Sequence, residues 1–203
     1  MELFIAKIVS SFLEIILAAA IPFLYWIFTE RKQSTFLNWL GFKKVSKHDF
    51  KRFFVPVLGM ILLFSLASFF ILLRLKGVST ATTVFRGGGY TVLPAILIYG
   101  IFNTALPEEL FFRGFLLKRL MSKMAFPLAN FIQSLCFALI HSFMFFKLLD
   151  IGSTIMITMF IFGIAYGMGY INEKKTQGSI VPSWLIHAAA NIFSGICAAF
   201  MLS

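Results

Sequence analysis

Acidic residues are what this 203-residue sequence has least of: eight Asp and Glu in all, with charged residues of both signs making up only 13% of the chain. A soluble globular protein carries about 25% charged and 45–50% apolar residues. Here 60% are hydrophobic, 27 are Phe, and the mean hydropathy is +0.91. Too little polar side chain exists to cover a water-facing surface, which excludes a soluble globule, a disordered segment and a coiled coil together. Cysteine is equally sparse. Cys136 and Cys197 both sit in apolar runs, where they are expected to pack as small hydrophobes, and nothing in their placement points to a disulfide. No internal repeat is visible either, which argues against an inverted-repeat transporter.

The composition that remains is that of an integral membrane protein. A membrane-crossing helix uses roughly 20 apolar residues, so the chain accommodates about six or seven spans and no separate aqueous domain. Apolar runs between polar breaks fall at 3–28, 54–73, 90–106, 125–146, 153–171 and 179–201, with a mixed segment at 107–124. The first run follows only Met1 and Glu2 and has neither a basic leader nor a small-residue cleavage site, so it reads as a retained span. Residues 78–90, with Gly87, Gly88 and Gly89 in a row, read as a flexible loop. In the fifth run, Gly163 and Gly167 suggest a smooth ridge for close helix contact.

Basic residues outnumber acidic ones, 18 to 8, for a net charge of +10 and a pI near 9.9. They lie in the connections and not on an amphipathic soluble face, so the expected partners are anionic lipid headgroups and not nucleic acid. If the mixed segment is not itself a crossing, Arg31, Lys32, Lys43, Lys44, Lys47, Lys51, Arg52, Arg113, Lys118, Arg119, Lys123, Lys174 and Lys175 share one side. Lys7, Arg74, Lys76, Arg86 and Lys147 share the other. The positive-inside rule then puts the long first loop in the cytoplasm and both termini outside. If the mixed segment crosses, everything after it inverts.

Ionisable groups at membrane depth are costly and count as functional candidates. In Asn103-Thr104-Ala105-Leu106-Pro107-Glu108-Glu109-Leu110-Phe111-Phe112-Arg113, Thr104 or Asn103 can cap a new helix that has Pro near its start and two acids at its positive end. Glu109 and Arg113, at i and i+4, are about 40° apart on a helix and suited to an ion pair. Glu108, about 140° from Arg113, is left to point elsewhere. Phe137 and His141 share a helical face with Asn130 and Ser134. Ser183, His187 and Asn191 line up in the last run among alanines, beside a cavity or a close partner helix. Glu14 lies too deep in the first span to reach the interface, whereas Lys7 can snorkel there. Glu14 is expected to pair with another span or line a cavity.

A carboxylate with a histidine to activate water, and a second histidine with an asparagine to bind an oxyanion, are the parts needed to hydrolyse an amide. Glu-Glu-x-x-x-Arg at Glu108, Glu109 and Arg113, Phe-x-x-x-His at Phe137 and His141, and His-x-x-x-Asn at His187 and Asn191 occur in that order, each in an apolar segment. Together they resemble the CPBP family, which includes type II CAAX prenyl endopeptidases and bacteriocin-processing or bacteriocin-immunity membrane proteins. The resemblance runs from about residue 98 to 200, and the Gly163 and Gly167 run is similar to the family's glycine-containing span. It divides the chain into N-terminal spans with a basic loop (1–89) and a protease core (90–203).

What the resemblance implies is an all-α transmembrane bundle with glutamate-type endopeptidase activity. Glu108 and His141 would activate water, His187 and Asn191 would bind the oxyanion, and Glu109 and Arg113 would support the site. No cofactor is expected. Zinc held by Glu108, His141 and His187 is the minority alternative, without a His-Glu-x-x-His motif behind it. The expected substrate is a peptide or membrane protein in a bacterial cell membrane, in leader-peptide or bacteriocin processing or self-immunity. A non-proteolytic scaffold or regulator is the alternative from another class, and a small transporter is a more distant one.

Overall fold

In hydrocarbon no water is present to satisfy a free backbone amide, so an apolar run that crosses a bilayer closes its hydrogen bonds within itself as a helix. The computed structural model describes residues 1–45, 47–74, 80–146 and 148–200, with the side chains of all of these except 47–52, 72–74 and 145. The charges of Lys47, Lys51, Arg52, Arg74, Lys76 and Lys147, the start of the 78–90 loop, and Met201 lie outside the described residues and side chains. Among the described residues there are helices and no strand. The helices are α1 (Glu2–Thr29), α2 (Phe36–Leu40), α3 (Lys47–Arg74), α4 (Gly89–Met121), α5 (Phe126–Phe145), α6 (Ile151–Lys175) and α7 (Val181–Phe200). All but the short α2 are long and apolar enough to cross a membrane, which gives the six-span bundle expected. The outer faces fit lipid: Leu13, Leu17 and Phe28 of α1 are 58%, 73% and 83% exposed, a placement water would penalise and acyl chains do not.

The mixed segment is not a seventh crossing. Residues 89–121 run as one helix, and no new helix starts at Thr104 or Asn103. Pro107 lacks an N–H and its ring crowds the carbonyl four residues back, which ordinarily breaks a helix. Here the backbone widens to π-helical turns over Tyr99–Ala105 and again over Leu110–Leu117, with Leu106–Glu109 α-helical between them. The wider turn lets the helix continue past the proline, so Thr104 and Asn103 are interior residues and do not cap.

Since α4 makes one crossing, Arg31, Lys32, Lys43, Lys44, Lys118, Arg119, Lys123, Lys174 and Lys175 gather at one end of the bundle, with Lys7 and Arg86 towards the other. The basic end is tied together tightly. Lys118 Nζ lies 3.0 Å from Glu173 Oε1 and donates to the Gly178 carbonyl at 2.8 Å. The Ile180 amide donates to the Gly41 carbonyl, and Ser179 Oγ to that of Lys43. Gly41 ends α2 at φ +95°, and a Cβ there would stand 2.5 Å from the Gly178 carbonyl oxygen, so only glycine fits. This knot sets where α7 begins. At the opposite end Asp150 Oδ1 accepts from the Ser153 amide at 3.0 Å and caps α6, and those hydrogen bonds hold the exposed carboxyl below its usual range.

Three packing expectations change. The described part of the 78–90 segment is an ordered turn with Phe85 fully buried, its ring 5.3 Å from that of Tyr99. A methyl group added at Gly163 would meet nothing within 4 Å, so the contact ridge of this run starts one turn later: a Cβ at Gly167 would stand 3.0 Å from Met60 Cε of α3, and one at Gly169 would collide with Asn130 of α5; α4 also approaches α7 closely at Gly100 and Gly195. Lys7 does not snorkel but turns inward, its Nζ 3.4 Å from Asn103 Oδ1 and over the Tyr99 ring at 5.1 Å. The aromatic face and the amide carbonyl replace the water it gives up. Cys136 and Cys197 are free and packed among apolar neighbours.

Candidate active site

Three helices bring the polar motifs together. Glu108 and Glu109 come from the α-helical turn between the two π segments of α4, His141 from the last turn of α5, and His187 from the second turn of α7. Glu108 is ten residues from Lys118 at the basic end, at most about 15 Å along the axis since the π-wide turns between them rise less than an α-helix, which puts it within the ~30 Å hydrocarbon layer. Its Oε2 atom lies 3.5 Å from His141 Nε2 and 3.7 Å from His187 Nε2. Both gaps exceed a direct hydrogen bond, and Oε2, shielded from solvent, has no hydrogen-bond partner among the described residues.

Each imidazole is oriented by its other nitrogen. His187 Nδ1 is 3.0 Å from Glu109 Oε1, and His141 Nδ1 is 2.9 Å from the Phe137 carbonyl oxygen. A carbonyl and an ion-paired carboxylate only accept, so both Nδ1 atoms donate and both rings turn Nε2 to Glu108. Glu109 is held in turn by Arg113, with Nη1 to Oε1 at 2.8 Å and both side chains fully buried. The i, i+4 pair expected from the motif is therefore formed. Arg113 Nε and Nη2 have no hydrogen-bond partner among the described residues; the guanidinium instead lies 4.4 Å over the Phe137 ring. Phe137 also stacks on His141 at 4.3 Å and meets His187 edge-on at 6.0 Å, and Phe64 of α3 is 6.1 Å from His187. These rings make a dry floor under the polar groups.

The site is open on one side. Glu108 and His141 keep 30% and 26% of their side-chain surface, whereas His187 keeps 5%. A ligand therefore meets Glu108 and His141 first, with His187 as the inner wall. Asn191, one turn beyond His187, donates from Nδ2 to Thr104 Oγ1 at 2.7 Å.

Some other predicted residues go elsewhere. Asn130 and Ser134 do not join His141: Asn130 Nδ2 donates to the Tyr166 carbonyl of α6, and Ser134 accepts from Gln133. Ser183 stays beside the site, its side chain against the Glu109 carboxylate, and accepts from Asn172 Nδ2 at 2.7 Å while its own amide donates to Asn172 Oδ1. Asn172, fully buried, thus locks the end of α6 to the start of α7. Nothing in the polar string Asn172-Glu173-Lys174-Lys175 distinguishes it from a loop, so it escapes sequence reasoning. Glu14 is exposed, on the α1 face that carries Lys7 and Ser10, with Asn103 as its neighbour and Glu108 within electrostatic reach.

A family model described as type II CAAX prenyl endopeptidase Rce1-like matches residues 89–193, just over half of the chain. The chain belongs to that family. No curated protein and no solved structure matches it. Membership makes this an integral-membrane protease of the CAAX type, and the matched segment holds Glu108, Glu109, Arg113, His141, His187 and Asn191. It starts at the first residue of α4, so α1 and α3, which pack on α4 and α7, stand outside it.

Proposed function

We propose that this family member is an intramembrane endopeptidase in which Glu108 activates a water molecule for attack on a peptide carbonyl, without a metal. The observation that carries the reading is the placing of Glu108 Oε2 at 3.5 and 3.7 Å from two Nε2 atoms whose rings are already committed at Nδ1. Three acceptor atoms around one point need protons between them. A shared water supplies two, giving one to Glu108 and one to a histidine, and turns its remaining lone pair to the substrate. Glu108 takes a proton as the water adds to the carbonyl carbon and returns it, relayed through His141 Nε2, to the amine as the C–N bond breaks, while Asn191 donates to the oxyanion and His187 joins it when its Nε2 carries a proton. Glu109, Arg113 and the Phe137 floor keep these groups in place, as a preorganised polar site in a dry setting requires. A zinc-dependent reaction, with Glu108, His141 and His187 as the ligands, is the outcome that a chelator tests.

The substrate we assign is a peptide or membrane protein in a bacterial cell membrane, cleaved in leader-peptide or bacteriocin processing or in self-immunity. Support comes from the motif order, which resembles a family that includes bacteriocin-associated members. A neighbouring gene for a small Gly-Gly-leader peptide and its exporter is the expected context; its consistent absence among relatives counts against the assignment. Anionic lipid headgroups are the partners we assign to the basic end.

The test replaces Glu108→Gln, His141→Ala and His187→Ala in the full chain, in liposomes with a quenched, membrane-anchored peptide panel that includes a farnesylated CAAX peptide. General acid–base groups contribute about 10²–10⁴-fold, so each variant should lose at least about a hundredfold of the rate while still inserting. Full cleavage in all three variants would refute these catalytic roles, and full biological effect in all three would mean that the protein acts as a scaffold and not as a protease.

A further inference from the structure

Asn191 is useful to an oxyanion only if its NH₂, and not its carbonyl, faces the reacting atom. An amide side chain fits its cavity almost equally well either way round, so something has to choose. The chooser is visible in α4. Thr104 Oγ1 donates its one proton to the carbonyl of Tyr99 at 3.0 Å, five residues back, where the widened turn brings that carbonyl within reach. With its proton spent, the hydroxyl oxygen can only accept. Asn191, 2.7 Å away, must then present Nδ2 to it and not Oδ1.

An NH₂ group has two protons. One goes to Thr104, which leaves the second Nδ2–H with a fixed direction and, among the described residues, no other hydrogen-bond partner. Thr104 and Glu108 are four residues apart on α4, and Asn191 and His187 are four apart on α7. The Thr104–Asn191 bond therefore lies about one helical turn, ~6 Å, from the Glu108–His187 pair along both helices. It spans the same helix–helix contact, where Gly100 lets the α4 backbone sit against Ile192 and Ala188.

We infer that Thr104 is a positioning residue: its hydroxyl, made an obligate acceptor by the Tyr99 carbonyl, sets the polarity of the Asn191 amide and so supplies the oxyanion donor. The inference rests on the protease reading for its consequence, and on the two hydrogen bonds for its geometry. Thr104→Val keeps the shape and removes the acceptor; Thr104→Ser keeps the acceptor.

The experiment uses the full chain in liposomes with the same peptide panel, and the variants Thr104→Val, Thr104→Ser, Asn191→Ala and the Val/Ala double. Loss of an oxyanion donor costs about 10²–10³ in kcat, and an amide that is wrongly turned part of the time should cost about tenfold or more. Expected for Thr104→Val is that fall in kcat with KM within about threefold of wild type, since the donor acts in the transition state. Thr104→Ser should restore the rate to within about threefold, and the double variant should be no slower than Asn191→Ala alone. An unchanged kcat in Thr104→Val, or losses that multiply in the double variant, would overturn the inference. A second readout does not need turnover: with ¹⁵N-asparagine, the Asn191 signal, assigned by its disappearance in Asn191→Ala, should show one slowly and one rapidly exchanging Nδ2 proton. Thr104→Val should make the two alike. If wild type cleaves nothing, the protease reading fails, while the exchange pattern still decides whether Thr104 orients the amide.

Discussion

Adding one methyl group at Gly100 should damage catalysis without touching a catalytic group. A Cβ built there lies 2.6 Å from Ile192 Cγ1, 3.1 Å from the Ile192 amide nitrogen and 3.3 Å from the Ala188 carbonyl oxygen. Ile192 can turn its side chain away from the first contact. The other two are backbone atoms of α7, and they can only recede if α4 and α7 separate by a few tenths of an ångström. His187 and Asn191 ride on α7, and Glu108 and Thr104 on α4, so the gap opens between the groups that must act together. Overpacking of this kind costs about 1–3 kcal/mol, and since a 1 Å misplacement can cost about a hundredfold in rate, a few tenths should cost about three- to tenfold. The assay pairs Gly100→Ala with Gly163→Ala, whose methyl meets nothing within 4 Å. Both are measured for thermal unfolding in detergent and for peptide cleavage in liposomes. Gly163→Ala should be neutral, or stabilised by up to about 1 kcal/mol through helix propensity. Equal stability and equal activity of the two variants would refute the claim that close approach at Gly100 sets the spacing of the site.

Arg113→Met leaves the Glu109 carboxylate buried without its cation, and breaking a buried pair by removing one partner costs about 3–5 kcal/mol. Unfolding in detergent should show that loss, and Glu109→Leu combined with Arg113→Met should be less destabilised than the sum of the single variants; strict additivity would mean that the 2.8 Å pair does not act as a unit. Cleavage by the purified protein should survive a strong chelator, whereas complete loss that added zinc restores would replace the metal-free reaction with a metal-dependent one.

Composition alone settles that this is a membrane protein, because 13% charged side chains cannot cover a surface in water. Periodicity adds the Glu109–Arg113 pair and the alignment of His187 with Asn191, since neighbours at i and i+4 meet on any helix. The order of the motifs carries the family. These are local properties, or counts, and they survive without knowledge of which helix touches which. Failure came where the backbone departed from the regular helix or where a contact crossed between spans. Pro107 reads as a helix start, yet wide turns on either side carry α4 through it, a choice that depends on the packing of α1 and α7 against that stretch. Gly163 and Gly167 look like one contact ridge, but Gly163 faces open space while Gly167 lies against Met60 of α3, and α4 and α7 also meet closely at Gly100 and Gly195. Lys7 is near enough to the interface to reach water, and only the presence of Asn103 and Tyr99 across α1 explains why it turns inward. The residue types needed for hydrolysis are thus determined by sequence, whereas their convergence at 3.5 and 3.7 Å around one carboxylate oxygen is decided by the tertiary structure. Hydrogen bonds and charges act over a few ångströms, and Glu108, His141 and His187 are 33 and 46 residues apart along the chain until three helices pack.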